Sequence, residues 1–362
     1  MKHPVFTVSF FSCLLCTLGH AHVITGDSTQ IDVSDGETTK LYINNYTGDS
    51  AISVPSEYKQ VYVLGSAEIA PFSDASRSLY VGSNSTLSVN GDVSSKYLQA
   101  QVGVTNSSIL ISGNVTSSTF AIAEPTNTVR IGGTLTINGL NSFVENGSSV
   151  YAGRVEVKAL TGVKIAGNIY TNSFTTKAAT TTLQTGSLLT HLDSAAAGSL
   201  LISKGSTVVC SGTVELDTEL EGGTFSLNEA ALVSAVTLQS GTLKVQGDAQ
   251  TGTLSLNSGN LIFSAGATLN LNGAALSFDD SVGITINVVD INNLPDNLVL
   301  FDNVAADSIL PDTFTVTFAD KTSSKQLEIS AQNIVAPVPE PATATLSLLA
   351  LAALAARRRR RR

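Results

Sequence analysis

Hydrophobic positions along this chain alternate over short stretches and then pause. From about Leu79 onward a unit of apolar, any, apolar, any, Gly, any, apolar residues recurs. It runs as Leu87, Val89, Gly91, Val93; as Ile109, Ile111, Gly113, Val115; as Val129, Ile131, Gly133, Leu135; and as Val163, Ile165, Gly167, Ile169. Weaker copies are Val208, Cys210, Gly212, Val214, then Leu243, Val245, Gly247, Ala249, then Leu269, Leu271, Gly273, Ala275, with an imperfect one at Tyr151, Gly153, Val155. The glycines at 91, 113, 133 and 153 stand 22, 20 and 20 residues apart. Alternation of period two turns one side of each short strand inward, and a glycine between apolar strand positions marks a bend or a close backbone approach. One such unit cannot bury its own apolar side, so the units must stack on one another. The pattern predicts an all-β chain whose body, 76–276, is a parallel β-solenoid.

The flanks read differently. Over 22–75 the alternation is looser, as in Lys40-Leu41-Tyr42-Ile43 and Gln60-Val61-Tyr62-Val63-Leu64, and predicts an N-terminal cap or the first turns. Past Gly273 larger apolar residues cluster at 284–291, 298–301, 314–318 and 327–329, separated by Asp, Asn and Pro. The open end of a solenoid is an unpaired edge that invites aggregation, so a β-rich C-terminal cap of antiparallel strands is expected over 277–330, followed by a linker, 331–337.

Composition supports strands: Trp is absent, aromatic residues are 6% and charged residues 14%. Before the repeats, a basic Met1-Lys2-His3, an apolar Pro4 to Leu18 and the small residues of Gly19-His20-Ala21 predict a signal peptide, 1–21, cut by signal peptidase between Ala21 and His22. Cys13 and Cys16 lack the small residues of a lipidation site in front of them. Without both ends, the body carries 13 Lys and Arg against 28 Asp and Glu, a net −15 that repels nucleic acid and anionic lipid. Cys210 is then the sole cysteine, so packing rather than an internal disulfide must hold the body.

Candidate chemistry is sparse. Glu215, Asp217, Glu219 and Glu221 alternate with Leu216 and Leu220, and on one strand would line a single side about 7 Å apart. Such a row suits a solvated outer face first, then a cation site or an acid pair acting on a glycan. Cys210 with His191 could form a nucleophile and base, but Cys210 sits at an inward apolar position, where a thiol behaves as a small hydrophobe. Asp279-Asp280 and the stretch from Asp32 to Glu37 are weaker, the latter with Ile43 where an EF-hand needs its closing acid. No phosphate-binding loop, paired-Cys spacing, G-x-S-x-G elbow or calcium-binding nonapeptide occurs. No catalysis and no cofactor are expected.

The strongest functional signal is Val338, Pro339, Glu340 and Pro341, followed by an uncharged apolar run from Ala342 to Ala356 and then Arg357, Arg358, Arg359, Arg360, Arg361 and Arg362. A helix of that run spans roughly 22 Å, short of the ~30 Å hydrocarbon core, and the arginines hold its end on the cytoplasmic side as a membrane stop. This order resembles the PEP-CTERM sorting signal of Gram-negative surface proteins. The resemblance implies export, transient anchoring in the inner membrane by a short transmembrane helix, processing near 339–341 by an exosortase-like transpeptidase, and delivery to the cell surface or a matrix rich in exopolysaccharide. The two prolines keep Glu340 extended and accessible, as processing requires. The repeats in turn resemble the right-handed β-helices of autotransporter passenger domains. Together these imply an exported structural or adhesive protein, with a polysaccharide-binding or polysaccharide-cleaving β-helix using the acidic row as the alternative.

Overall fold

The computed structural model of the chain describes residues 29–33, 39–46, 51–100, 103–139, 141–158, 162–193, 198–279, 282–287 and 297–310, and the strands Phe314–Phe318, Lys321–Lys325, Glu328–Ser330 and Asn333–Pro337. Every regular element among them is a strand. The chain winds as a parallel β-solenoid of about 12 turns with three faces. The first face stacks Ser66–Ile69, Thr86–Val89, Ser108–Ile111 and the start of Thr128–Ile137. The second stacks Phe72–Ser73, the start of Val93–Ala100, the start of Val115–Ile122 and the end of Thr128–Ile137. The third stacks Tyr58–Val63, Ser78–Val81 and the ends of Val93–Ala100 and Val115–Ile122. Further on, Thr213–Leu227 passes through all three faces in one turn, its register breaking between Val214 and Asp217 and again between Leu220 and Thr224.

The alternation works as physics requires. Val89, Ile111 and Ile131 are buried on the first face, and Leu41, Val61, Leu79, Leu98 and Phe120 form one continuous interior row behind the third. Each fully buried side chain of this size contributes about 1.5–3 kcal/mol relative to exposure. A polar thread runs through the corner between the third and first faces, where Ser85, Ser107, Asn127 and Ser148 are buried in successive turns and Ser187 two turns further on. The Ser107 backbone N–H and hydroxyl both donate to Asn127 Oδ1 at 2.9 Å, and Asn127 Nδ2 donates to the Val104 carbonyl at 2.7 Å. Buried polar groups persist where such partners exist.

The repeat divides into two classes that share one local pattern. Gly91, Gly113, Gly133 and Gly153 turn the corner between the first and second faces, where the Gly113 N–H donates to the Gly91 carbonyl at 3.1 Å and the Gly133 N–H to that of Gly113 at 3.0 Å. Gly167, Gly212 and Gly247 instead turn the corner between the third and first faces. Any corner between two inward-alternating strands fits the same spacing, so the sequence pattern merged them. Tyr151, read as an apolar member of the repeat, points outward, because Val150 and Ala152 take the buried positions.

Both flanks extend the stack. Thr39–Ile43 already pairs in parallel with Tyr58–Val63, and Thr29–Val33 lies antiparallel outside it. At the other end parallel pairing continues through Leu276–Phe278, Gly283–Asn287 and Phe314–Phe318, because Ile284 and Ile286 align with Leu261 and Phe263 in the same interior rows. Among the described residues at this end, the strands with antiparallel partners are Asn297–Asp302 and those from Phe314–Phe318 onward, all well past residue 277. Within 331–337, expected as a linker, Asn333–Pro337 is a strand antiparallel to both Asn297–Asp302 and Glu328–Ser330. The adjacent β-branched Ile334 and Val335 suit a strand, and the neighbouring prolines masked that signal.

Candidate functional site

The acidic row faces solvent, as alternation predicts, but not along one wall. Leu216, Thr218 and Leu220 are buried between the acids. Glu215 follows Val214 at the corner that ends the first face, where its carboxylate accepts a hydrogen bond from the Thr190 hydroxyl and its backbone carbonyl lies 3.0 Å from His191 Nε2. Asp217 and Glu219 lie on the second face between Ser199 and Leu201 of the preceding turn and Ala235 and Thr237 of the next. Glu221 sits at the bulge where the strand leaves that face. The single line of four acids therefore becomes one residue at the corner before the second face, two on that face and one at the bulge that ends it. Among the described residues no group of three or more His, Cys, Asp or Glu side chains converges to hold a metal ion. Asp279 is exposed, whereas Asp280 and residues 34–38 lie outside the described residues.

Cys210 and His191 are not brought together. Cys210 is fully buried on the third face between Leu183 and Leu227, and its thiol donates to the Gly212 carbonyl at 3.5 Å. Burial pushes the thiol up to about 11. His191 follows the first face, held at the Glu215 carbonyl. A maleimide added to the native protein at pH 8 is expected to leave Cys210 unlabelled, and to label it rapidly once the stack unfolds. At that pH only about one thiol in a thousand is the reactive thiolate. Rapid native labelling, read by mass spectrometry, would contradict the buried assignment.

A cleft on the first face was not foreseen. Glu68, Ser88, Leu110, Arg130 and Tyr151 occupy one outward row in successive turns, and with Leu192 they border a cleft of about 560 Å³. The Arg130 guanidinium lies 4.0 Å from the Tyr151 ring centroid, and Tyr151 stacks on Tyr170 at 4.5 Å and 5°. Stacking along the axis covers the ring faces and leaves edges and hydroxyls to the solvent, so the row offers hydrogen bonds rather than a flat platform for a sugar. The signal was the spacing of Arg130, Tyr151 and Tyr170 at nearly the repeat period, which becomes readable only once the register is known.

The residues with the strongest sequence signal stand elsewhere. Ala21 and His22, Val338 to Pro341 and Arg357 to Arg362 lie outside the described residues, and among the described residues no helix is long and apolar enough to cross a membrane. Residues 337–362 match the family model of the PEP-CTERM protein-sorting motif, which indicates an exported protein sorted via exosortase. No curated protein and no solved structure matches the chain.

Proposed function

We propose, taking the PEP-CTERM match at 337–362 as the premise, that the protein is a structural or adhesive β-solenoid of the bacterial surface or extracellular matrix and carries no catalysis. Signal peptidase removes 1–21 after Ala21, the segment 342–356 anchors the precursor in the inner membrane with Arg357 to Arg362 on the cytoplasmic side, and an exosortase-like transpeptidase acts near Pro339 to Pro341. In this reading the solenoid winds right-handed and meets exopolysaccharide after release. The supporting observation is that match, joined to a body whose outward positions are largely Ser, Thr and Asn.

The test is the C-terminus of the protein recovered from the cell surface. Mass spectrometry is expected to find no peptide containing Arg357 to Arg362, and an intact tail in that fraction would defeat the reading. The alternative, a polysaccharide-binding or polysaccharide-cleaving protein, draws support from the exposed Asp217, the adjacent Glu219 and Glu221 on one edge. Glycan turnover by the purified protein that disappears in Asp217→Ala with Glu219→Ala would carry that alternative instead.

A further inference from the structure

Charge on the second face is arranged in two bands of opposite sign about the middle of the stack. Five rungs of that face, from Phe72–Ser73 to the one carrying Arg154, precede the strand Ser173–Thr176. Five more, from the one carrying Asp217 to the bridge at Ile309, follow the strand Ser199–Ser203. These two central strands pair with each other; Ser173, Ser199 and Leu201 reach their surface, Thr175 is buried, and none of the four is charged. On one side lie Arg154 and Lys158, with Lys177 at the end of the first central strand; their side chains, 51%, 41% and 50% exposed, gather around a single Glu156. Hydrogen bonding from Lys158, at 2.6 Å, is the main cause that holds the Glu156 carboxyl below its ordinary range, so the cluster stays net positive. On the other side lie Asp217, Glu219 and Glu221. At ~4.8 Å per rung the two bands are about 14 Å apart.

We propose that this face is where two copies of the chain pair, side by side and antiparallel, about a twofold axis running along the strands between Ser173–Thr176 and Ser199–Ser203. That axis exchanges the rung of Arg154 with the rung of Asp217 and leaves positions along the strand unchanged. Arg154 of each copy therefore meets Asp217 of the other and Lys158 meets Glu221, each contact occurring twice as an isologous interface requires, while Glu156, held among its own three cations, meets Glu219. The parallel alternative sets cation against cation and acid against acid. Because the axis crosses the middle of the face, the whole face overlaps. About twelve rungs, mostly of three or four residues, cover on the order of 600 Å² per copy, the lower end of a standard stable interface. Beyond the bands, exposed Lys96 near one end faces exposed Asp279 near the other. A polyanion would meet only the positive band and is opposed by the negative one beside it.

The pairing does not depend on where the protein is delivered. Full-length chain in mild detergent, followed by light scattering behind size exclusion, is expected to run at twice the monomer mass at low salt and to approach the monomer at high salt, since exposed ion pairs are screened. Asp217→Lys with Glu221→Lys, and separately Arg154→Glu with Lys158→Glu, each raise the dimer Kd at least about tenfold, with β circular dichroism unchanged. An equimolar mixture of the two variants restores the dimer. A monomer at low salt overturns the proposal, as does a dimer that survives in both variants, which is what association through the C-terminal segment would give.

Discussion

Gly113→Val is expected to cost about 3 kcal/mol or more of stability, read as a shift of the denaturant midpoint followed by circular dichroism. A Cβ at this position would lie 2.6 Å from the carbonyl carbon of Gly91 and 2.7 Å from its oxygen, closer than real contacts allow. The backbone cannot retreat, because the Gly113 N–H is bonded to the Gly91 carbonyl and the Gly113 carbonyl accepts from Gly133. A rung contacts only its neighbours, so a displaced corner separates the turns on both sides. Gly186→Asn is the matched control. Gly186 has φ +84° and nothing within 4 Å of the place a Cβ would take, so the substitution meets only the ~1 kcal/mol backbone preference that Asn tolerates well. Equal losses in both variants would refute the role assigned to corner packing.

Deleting Arg357 to Arg362 is expected to reduce the correctly sorted surface fraction at least about tenfold, with the shortened precursor appearing in the periplasm or medium. Each arginine opposes passage through the bilayer centre by about 2.5–3.5 kcal/mol on insertion scales, so six make an effective stop. A 15-residue apolar run alone is too short to be a secure span. Replacing the six by lysine keeps the charge and should preserve most of the sorting if the block acts as a charge stop. Fractionation with an antibody to the body reads the result. Unchanged surface delivery after the deletion would show that the block has no part in retention.

The architecture was legible because burial in a solenoid is decided locally. Val89, Ile111 and Ile131 alternate with polar residues whatever turn they belong to, and their inward direction follows without knowledge of partners. What depends on partners was not legible. The corner glycines at 113 and 167 look alike in sequence yet turn different edges, since the same spacing satisfies either. The acids from Glu215 to Glu221 could be seen to face outward, but the break after Val214, which carries Glu215 onto a corner, is a property of the turns above and below. Arg130 and Tyr151 lie 21 residues apart, and Arg154 and Asp217 much farther, so neither relation exists until the turns are stacked. The sorting signal was the most readable part, because a short linear motif carries its chemistry in the order of its residues.

The tyrosine stacks give the molecule an optical address. The chain has eight tyrosines and no tryptophan. Tyr42, Tyr62 and Tyr80 lie ring over ring at 4.9 and 4.7 Å in the earliest turns, while Tyr151 and Tyr170 do so in the middle of the rod. Near-ultraviolet dichroism should therefore arise chiefly from two separated chromophore clusters, and Tyr62→Phe or Tyr170→Phe would dim one at a time. Melting that starts at one end would then be distinguishable from melting that starts at the centre, in a protein without tryptophan.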